Sequence, residues 1–257
     1  MSTVFHIVIP ARYASTRLPA KPLRDIGGKP MIQWVHQQAL AAGAQSVTVA
    51  TDDSRIRDAV RGFGGEVVMT SPDHPSGTDR LEEVTRLLGF DDDTLLVNVQ
   101  GDEPLIPPAV IRQVAANLAA NPDAAVATLW EPILAAGDFD NPNIVKVVAD
   151  RAGMALYFSR APIPWPRDHR LAGAPGLPEE LDARRHLGIY AYRVRELRDF
   201  VTWPVAPLER LECLEQLRFL WQGRRIHLAE ACAPVPGGVD TEADLARVID
   251  MLGGAAP

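Results

Sequence analysis

The sequence predicts an α/β fold built on a doubly wound, mostly parallel sheet. Short apolar runs rich in β-branched residues, typical of strands buried on both faces, alternate with amphipathic segments of helical length in the first half. Glycine and proline turns separate the two kinds of segment at regular spacing. This alternation is the pattern of strand–helix–strand units, whose strands lie parallel in one sheet.

The first half supplies these elements in order. The apolar run 7–9 predicts the first strand, and Pro30 suits the first turn of a helix over 31–42, which Gly43 ends. Further strands are predicted over 47–50, 66–70, 94–99 and 124–129, with helices ending at 63 and 88 and one over 108–121.

The second half departs from this alternation. Runs over 144–149 and 154–159 predict an antiparallel hairpin, and the Pro- and Gly-rich stretch 161–178 predicts a functional loop. The remaining predictions are strands over 186–193 and 226–230, and helices over 207–221 and from about 240 to 252. We therefore expect one domain over 1–257, with a smaller antiparallel subdomain inserted at approximately 130–205.

Composition excludes several classes of protein. The 257 residues are 47% hydrophobic, enough for a full core, and the net charge of −7 disfavours a nucleic-acid or anionic-membrane surface. Two cysteines, Cys213 and Cys232, make a disulfide framework improbable and fit a reducing cytosol. With no signal-peptide pattern and no membrane-length apolar run, we expect a soluble cytoplasmic protein.

A cationic loop follows the first strand. It carries Arg12, Arg17 and Lys21 and is stiffened by Pro19 and Pro22. A loop at the carboxyl end of a parallel strand is where such sheets bind anions, and arginine forks suit phosphate oxygens. Because the glycine-rich phosphate motifs are missing, side-chain cations must hold the anion here. The alternative is that some of these cations merely pair with surface acids.

Two aspartates are candidate metal ligands. Asp102 ends an apolar strand beside Gly101, a position suited to Mg²⁺ next to substrate phosphates. Its alternative role is to cap the following turn. Asp240, at the start of the last helix, is explained by ordinary N-capping, but it becomes a second metal carboxylate if the fold brings it to Asp102.

A polar helix start, residues 76–80, is a further candidate. Free amides at a helix start can meet anionic or carbonyl groups of a ligand. Ser76 or Thr78 acting only as a helix cap is at least as good an explanation.

Polar residues of the second half form another candidate set. His186 and Tyr190, four residues apart in a predicted strand, lie on one face and could bind a hydroxyl-rich acid. A satisfied core histidine and an interface tyrosine are the alternative. Glu215 is predicted on a helix beside the coreward Leu211 and Leu214. The set is completed by Arg160 and Gln216.

Eight segments carry a resemblance that runs in order along nearly the whole chain. They are IPARYASTRLPAKPL (9–23), VATDD (49–53), HPSGTDR (74–80), NVQGDEP (98–104), FSRAPIPW (158–165), RHLGIYAYR (185–193), PLERLECLEQLRFLW (207–221) and GVDTEADL (238–245). On these segments the chain resembles the 3-deoxy-manno-octulosonate (Kdo) cytidylyltransferases, the CMP-Kdo synthetases.

The resemblance implies a fold and an activity. The fold would be a nucleotidyltransferase domain like those of nucleotide-diphospho-sugar transferases, with an insertion for dimerisation and sugar binding. The reaction would join CTP and Kdo into CMP-Kdo and pyrophosphate for lipopolysaccharide synthesis. The resemblance also implies a Mg²⁺ requirement and a homodimer, with small-molecule substrates and neither nucleic acid nor membrane as a partner.

The resemblance also assigns residues. Arg12, Lys21 and Asp102 would be catalytic. The triphosphate would be bound by Arg12, Ser15 and Lys21, the cytosine and ribose by Ser76, Gly77, Thr78, Asp79 and Arg80, magnesium by Asp102 and Asp240, and the sugar acid by Gln100, Arg160, His186, Tyr190 and Glu215. Two departures are Ala20 in place of the family's usual glycine and Glu242-Ala243 in place of its usual Pro-Glu.

The residues agree with in-line attack of the sugar's anomeric hydroxyl on the α-phosphate of CTP, because no Ser-His-Asp or Cys-His nucleophile is legible. One alternative is a related enzyme for another sugar acid, although RHLGIYAYR and LECLEQLR favour Kdo. A second is a binding protein without turnover. A third is a glycosyltransferase, whose DxD motif Asp91–Asp93 matches by letters but precedes a strand.

Overall fold

The computed structural model describes residues 3–14 and 18–253, and it confirms the α/β fold. The described strands are β1 (His6–Ala11), β2 (Asp25–Ile26), β3 (Lys29–Pro30), β4 (Ser46–Thr51), β5 (Glu66–Met69), β6 (Leu95–Asn98), β7 (Val126–Pro132), β8 (Lys146–Ala149), β9 (Ala155–Ser159), β10 (Arg184–Arg193) and β11 (Ile226–Glu230).

The helices lie between these strands, and Lys21–Leu23 forms a 3₁₀ turn. They are α1 (Met31–Ala41), α2 (Ser54–Gly62), α3 (Gly77–Leu87), α4 (Pro108–Ala120), α5 (Ala136–Asp140), α6 (Arg167–Leu171), α7 (Val194–Phe200), α8 (Pro207–Glu212), α9 (Leu217–Trp221) and α10 (Glu242–Gly253). Within the described ranges, no helix is both long and apolar enough to cross a bilayer.

The main sheet has the strand order β11-β7-β10-β6-β1-β4-β5. Strand β10 runs antiparallel to both of its neighbours, and the other pairings along this path are parallel. The predicted antiparallel hairpin is confirmed as β8 and β9, and β8 is hydrogen-bonded to β10. Strands β2 and β3 form a separate small antiparallel sheet. The division into a domain and an inserted subdomain stays a prediction.

Two apolar layers explain why the central strands are nearly continuous apolar runs. Ile7 and Ile9 of β1 pack with α1 and α4 on one face of the sheet. Val8, between them in sequence, points to the opposite face and packs in the layer that includes α3 and α7. Because successive side chains of a strand face opposite ways, a strand covered on both faces must be apolar throughout.

The predicted single helix over 207–221 is wrong. Cys213 adopts a left-handed φ of 51°, which ends α8, and α9 begins only at Leu217. The two short helices are held together by a buried ion pair, in which Arg218 Nε donates to Glu209 Oε2 at 2.8 Å. Leu214 is buried as predicted, but Leu211 is 81% exposed. Leucines spaced by three residues fit one helix or two, so their spacing could not reveal the break.

Candidate active site

One lysine joins the two predicted metal ligands. The ammonium nitrogen of Lys21 lies 2.8 Å from Asp102 Oδ2 and 2.9 Å from Asp240 Oδ1. The lysine is largely buried, whereas both carboxylates are partly open to solvent. The fold therefore brings together three charged groups from three distant parts of the chain.

Close backbone packing places Asp102. A Cβ atom on Gly101 would lie 2.8 Å from the backbone oxygen of Pro10, so glycine lets the end of β6 approach the end of β1. The amide of Val239 then donates to the backbone oxygen of Asp102 at 2.8 Å. This bond holds the segment before α10 against the β6 end, which brings Asp240 to the site.

The cationic loop reaches the site through a strained turn. Ala20, where the family usually has glycine, adopts a left-handed φ of 56° just before the 3₁₀ turn that begins at Lys21. A side chain in this region costs about 1 kcal/mol, which glycine would avoid. The departure from the family pattern thus falls on a residue whose conformation favours glycine.

The electrostatics of the cluster favour a charged lysine. Burial of the Lys21 ammonium acts to lower its pKa, but the charges and hydrogen bonds of Asp102 and Asp240 outweigh this effect, and the pKa is raised. Lys21 is therefore a fixed positive charge at any pH used for assay.

A first cavity of about 390 Å³ opens beside this cluster. Arg12 lines it and donates to the backbone oxygen of His74 at 3.0 Å. The first cavity is also lined by Lys21, Gly77, Gln100 and Asp102. Ser15 and Arg17 lie outside the described residues, so their predicted roles stay predictions.

A second cavity of about 310 Å³ shares Gly77 and Gln100 with the first. Thr78 donates to Glu215 Oε2 at 2.9 Å across it, although Glu215 lies in the turn between α8 and α9. Burial is the main cause that raises the pKa of Tyr190, so its phenol is a neutral hydrogen-bonding group. The second cavity is also lined by Asn98, Tyr192, Cys213, Leu214, Gln216 and Phe219.

His186 stands behind this cavity. Its ring lies 5.4 Å from that of Tyr190, and its Nε2 atom lies 3.0 Å from Thr128 Oγ1. Burial lowers the pKa of His186 to about 3, so the imidazole is neutral near pH 7. These contacts agree with the core-histidine alternative, while Tyr190 itself lines the cavity.

The residues at the start of α3 have two kinds of role: some cap the helix and others line the cavities. Ser76 caps α3, because its Oγ accepts from the amide of Asp79 and donates to the carboxylate of that residue. Gly77 and Thr78 line the cavities. Arg80 is fully buried, and its Nη2 donates to Asp52 Oδ2 at 2.8 Å. The Arg80 guanidinium lines neither cavity.

Arg160 is used in packing. Its Nε donates to the backbone oxygen of Glu212 at 2.6 Å, and Nη1 donates to that of Pro142 at 3.0 Å. It lines neither cavity and secures the end of α8, next to the Cys213 turn that precedes Glu215.

Several residues of the second cavity were missed by sequence reasoning, and two of them carry hydrogen-bonding groups suited to a sugar, Asn98 and Tyr192. Tyr192 follows Tyr190 by two positions in β10 and so shares a strand face with it, and Asn98 ends β6 two positions before Gln100. Strand alternation applied outward from Tyr190 could have found Tyr192, and the polar side chain within the apolar run 95–99 could have found Asn98.

The cluster fits a divalent cation in part. Mg²⁺ is commonly held by one or two carboxylates together with substrate phosphates and water. Asp102 and Asp240 supply two carboxylates that already converge on one positive charge. Among the residues that the structure describes, no group of three or more His, Cys, Asp or Glu could hold a metal ion.

Comparison with known proteins gives consistent results. A family model described as cytidylyltransferase matches residues 6–226. A 3-deoxy-manno-octulosonate cytidylyltransferase of Cellvibrio japonicus is 66% identical over 96% of this chain and 98% of its own. The protein of the same name from Hahella chejuensis is 59% identical, over 96% of each chain.

Solved structures agree at the level of fold. A CMP:2-keto-3-deoxy-manno-octonic acid synthetase complexed with CTP is 44% identical, with a TM-score of 0.88 over 98% of this chain and all of that one. A nucleotidyl transferase from Methanothermobacter, 18% identical with a TM-score of 0.59, shares the fold alone. From these matches and the site that accompanies them, the chain belongs to the cytidylyltransferase family of nucleotidyltransferase enzymes, among the 3-deoxy-manno-octulosonate cytidylyltransferases.

Proposed function

We propose that the protein activates Kdo with CTP, giving CMP-Kdo and pyrophosphate. The observation that carries this proposal is the cluster of Lys21, Asp102 and Asp240 beside the first of two adjoining cavities. One cavity is cationic and suits a triphosphate, and the other is lined by hydroxyl, amide and carboxylate groups that suit a sugar acid. The names of the related enzymes, and a related structure solved with CTP, support the same pair of substrates.

The first cavity would take the triphosphate. Arg12 and Lys21 would bind its oxygens, with Ser15 as a further donor. The start of α3 would meet the cytosine and ribose through Gly77 and Thr78. Ser76 and Asp79 would fix that helix start by their mutual hydrogen bonds. Arg80 would act as a positioning residue, through its bond to Asp52.

The second cavity would take the sugar acid. Gln100 at its boundary with the first cavity, and Tyr190 and Glu215 inside it, would bind the hydroxyl groups. His186 would support the Tyr190 ring from behind, and Arg160 would position the turn that carries Glu215. Because the two cavities share Gly77 and Gln100, a sugar hydroxyl would meet the α-phosphate at their junction.

Asp102 and Asp240 would hold Mg²⁺. The fit rests on two partly exposed carboxylates that already share one cationic partner. When bound, the ion would supply positive charge against the triphosphate oxygens. Lys21 would then be free to contact phosphate oxygens instead of both carboxylates.

The residues perform the transfer by positioning and charge. The anomeric oxygen of Kdo forms a bond to the α-phosphorus as the bond to pyrophosphate breaks, and the hydroxyl proton leaves to solvent. Arg12 and Lys21 stabilise the negative charge that develops on the departing pyrophosphate. No covalent enzyme intermediate is needed, because the attacking oxygen belongs to the sugar itself.

The test is pyrophosphate release with CTP, Mg²⁺ and a panel of sugar acids. We expect rapid release with Kdo and at least about tenfold lower kcat/KM with a sialic acid, since the second cavity must fit the acid's hydroxyl pattern. An amino-substituted Kdo in the panel separates the nearest related activity. CTP binding without pyrophosphate release from any acid would instead support a protein that binds without turnover.

The contacts of the Asp91–Asp93 run disfavour a glycosyltransferase. Asp92 pairs with Arg198 and Asp93 pairs with Arg195. These aspartates precede β6, whereas Asp102 follows it. The run therefore lies at the opposite end of the strand from the two cavities.

We also propose a cytoplasmic homodimer that serves lipopolysaccharide synthesis. Leu156 on the β8–β9 hairpin and Trp165 just beyond it are exposed large apolar side chains, which suit a subunit interface. Light scattering tests the dimer: we expect twice the mass of the 28.0 kDa chain. The substitution Leu156→Asp should shift the mass towards that of one chain.

A further inference from the structure

We propose that Asn98 is a specificity-determining residue whose side-chain oxygen accepts a hydrogen bond from a hydroxyl of the sugar acid. The inference deepens the proposed function, on which it rests. It concerns a residue to which the resemblance assigns no role.

Asn98 is buried and its acceptor is unused. It is the last residue of β6, where its backbone pairs with Val8 on one side and Tyr190 on the other. Only 4% of the residue is exposed, and it lines the second cavity. Within the described ranges of the chain, its Oδ1 atom has no hydrogen-bond partner.

Two donors that line the same cavity are directed elsewhere. Thr78 donates its hydroxyl hydrogen to Glu215, and the amide of Gln100 is directed at the backbone oxygen of Gly188, 3.4 Å away. Among the described residues, the free protein thus leaves unpaired the buried amide oxygen of a residue that lines the cavity. Buried polar atoms are nearly always paired, so an orphan that faces a cavity points to a ligand atom as its partner.

The chemistry of the orphan atom defines the ligand group. An amide oxygen only accepts, so its partner must be a donor, and the carboxylate of the sugar acid is excluded. Asn98 lines the second cavity only, whereas Gln100, two residues later, lines both cavities. A hydroxyl deeper in the second cavity than the reacting one is therefore the group that Asn98 contacts.

A desolvated acceptor of this kind discriminates strongly. A site built to bond a hydroxyl rejects an analogue that lacks it, because the buried acceptor is then left unpaired. Asn98 thus selects for a hydroxylated acid over a deoxy analogue.

The test replaces Asn98 with leucine, which has a similar shape but no acceptor. We expect Asn98→Leu to lower kcat/KM for Kdo by about 10- to 100-fold, with KM for CTP changed less than about twofold. The denaturant midpoint of the free enzyme should stay unchanged or rise, because an unpaired buried polar atom has been removed. A merely structural asparagine would give the opposite result, a lower midpoint with normal use of Kdo.

Asn117 offers a matched control. It lies on α4, away from both cavities, and its Nδ2 is also buried without a partner. Asn117→Leu should leave kcat/KM for Kdo within about twofold of the wild type. An equal loss in both variants would overturn the proposal.

Substrate analogues test the contact without depending on one variant. For one monodeoxy analogue, the kcat/KM of the wild type should be about 10- to 100-fold lower than its kcat/KM for Kdo. Asn98→Leu should use that analogue and Kdo equally well. If leucine prevents folding, Asn98→Ala takes its place. Equal discrimination by wild type and variant for every analogue overturns the proposal. If Glu215→Gln lowers Kdo use and Asn98→Leu does not, only the Asn98 assignment fails. If neither does, the sugar cavity itself is misassigned.

Discussion

Asp102 and Asp240, which lie far apart in the sequence, both accept a hydrogen bond from the ammonium of Lys21, at 2.8 and 2.9 Å. Two carboxylates this close would repel each other without a shared cation. Lys21 supplies that cation in the free protein. A divalent ion would compete for the same oxygens, so lysine contact and metal binding are coupled.

The first prediction concerns this coupling. Lys21→Met keeps the length of the side chain but removes its charge, so the free protein should bind Mn²⁺ about three- to tenfold more tightly. Turnover with CTP and Kdo should fall by about a hundredfold, because the triphosphate loses a cation. Titration followed by electron paramagnetic resonance measures the binding. Lys29→Met, on the small β2–β3 sheet, is the control; weaker Mn²⁺ binding by Lys21→Met would contradict the coupling.

The second prediction concerns the packing of β6 against β1. Gly101→Ala places a Cβ atom 2.8 Å from the backbone oxygen of Pro10, a contact that requires the backbone to move. We expect the free energy of unfolding to fall by about 1–3 kcal/mol and turnover to fall with it, since Asp102 is displaced. Chemical denaturation and steady-state assays measure these effects.

Gly62 provides the control for that substitution. It is the last residue of α2, and a Cβ atom there would meet nothing within 4 Å. Gly62→Ala should leave stability unchanged or raise it by up to about 1 kcal/mol. Similar behaviour of the two alanine variants would show that the approach of Gly101 to Pro10 is not tight.

The third prediction concerns pH. Burial lowers the folded-state pKa of His186 to about 3 from its ordinary 6.5, so the unfolded chain takes up a proton first as the pH falls. Stability from this residue is intact above pH 6.5 and is lost progressively towards pH 3, by about 2 kcal/mol at pH 5. His186→Gln should not show this loss, because glutamine does not take up a proton in this pH range.

Denaturation of both proteins at pH 8 and pH 5 measures the effect. Between pH 8 and pH 5, the free energy of unfolding should fall by about 2 kcal/mol more for the wild type than for His186→Gln. Comparing the two proteins removes the contribution of the other titrating groups. An unchanged difference would mean that the His186 imidazole is accessible to water and protonates normally.

The fourth prediction separates packing from nucleotide contact at Arg80. Arg80→Met leaves Asp52 without its buried partner and should lower the free energy of unfolding by about 3 kcal/mol. Arg86→Met, on the exposed face of the same helix, should change it by less than about 0.5 kcal/mol. A loss of CTP affinity by Arg80→Met without loss of stability would instead place the guanidinium at the nucleotide.

Much of the fold was predictable because local pattern determined it. The strands of the first half are nearly continuous apolar runs. Such runs are typical of strands in a parallel sheet that helices cover on both faces, so they indicate this fold directly. The break at Cys213 was not predictable, because no proline or glycine marks it and the leucines continue at helical spacing.

The site was predictable only in part. The position of Asp102 after an apolar strand is a local feature, whereas its proximity to Asp240 depends on the bond from Val239 to the Asp102 backbone. The packing roles of Arg80 and Arg160 follow from partners distant in sequence, such as Asp52 and Glu212. Only tertiary structure supplies such pairs.

The most direct test of the account is turnover by Asp102→Asn across a titration of Mg²⁺, with wild type and Glu242→Gln as references. Asparagine keeps the shape and one oxygen but removes the charge that faces Lys21. We predict that pyrophosphate release from CTP and Kdo stays about a hundredfold below wild type even at saturating Mg²⁺, equivalent to about 3 kcal/mol. Near-normal release at saturating Mg²⁺ would contradict the central claim that Asp102 holds the charge on which the transfer depends.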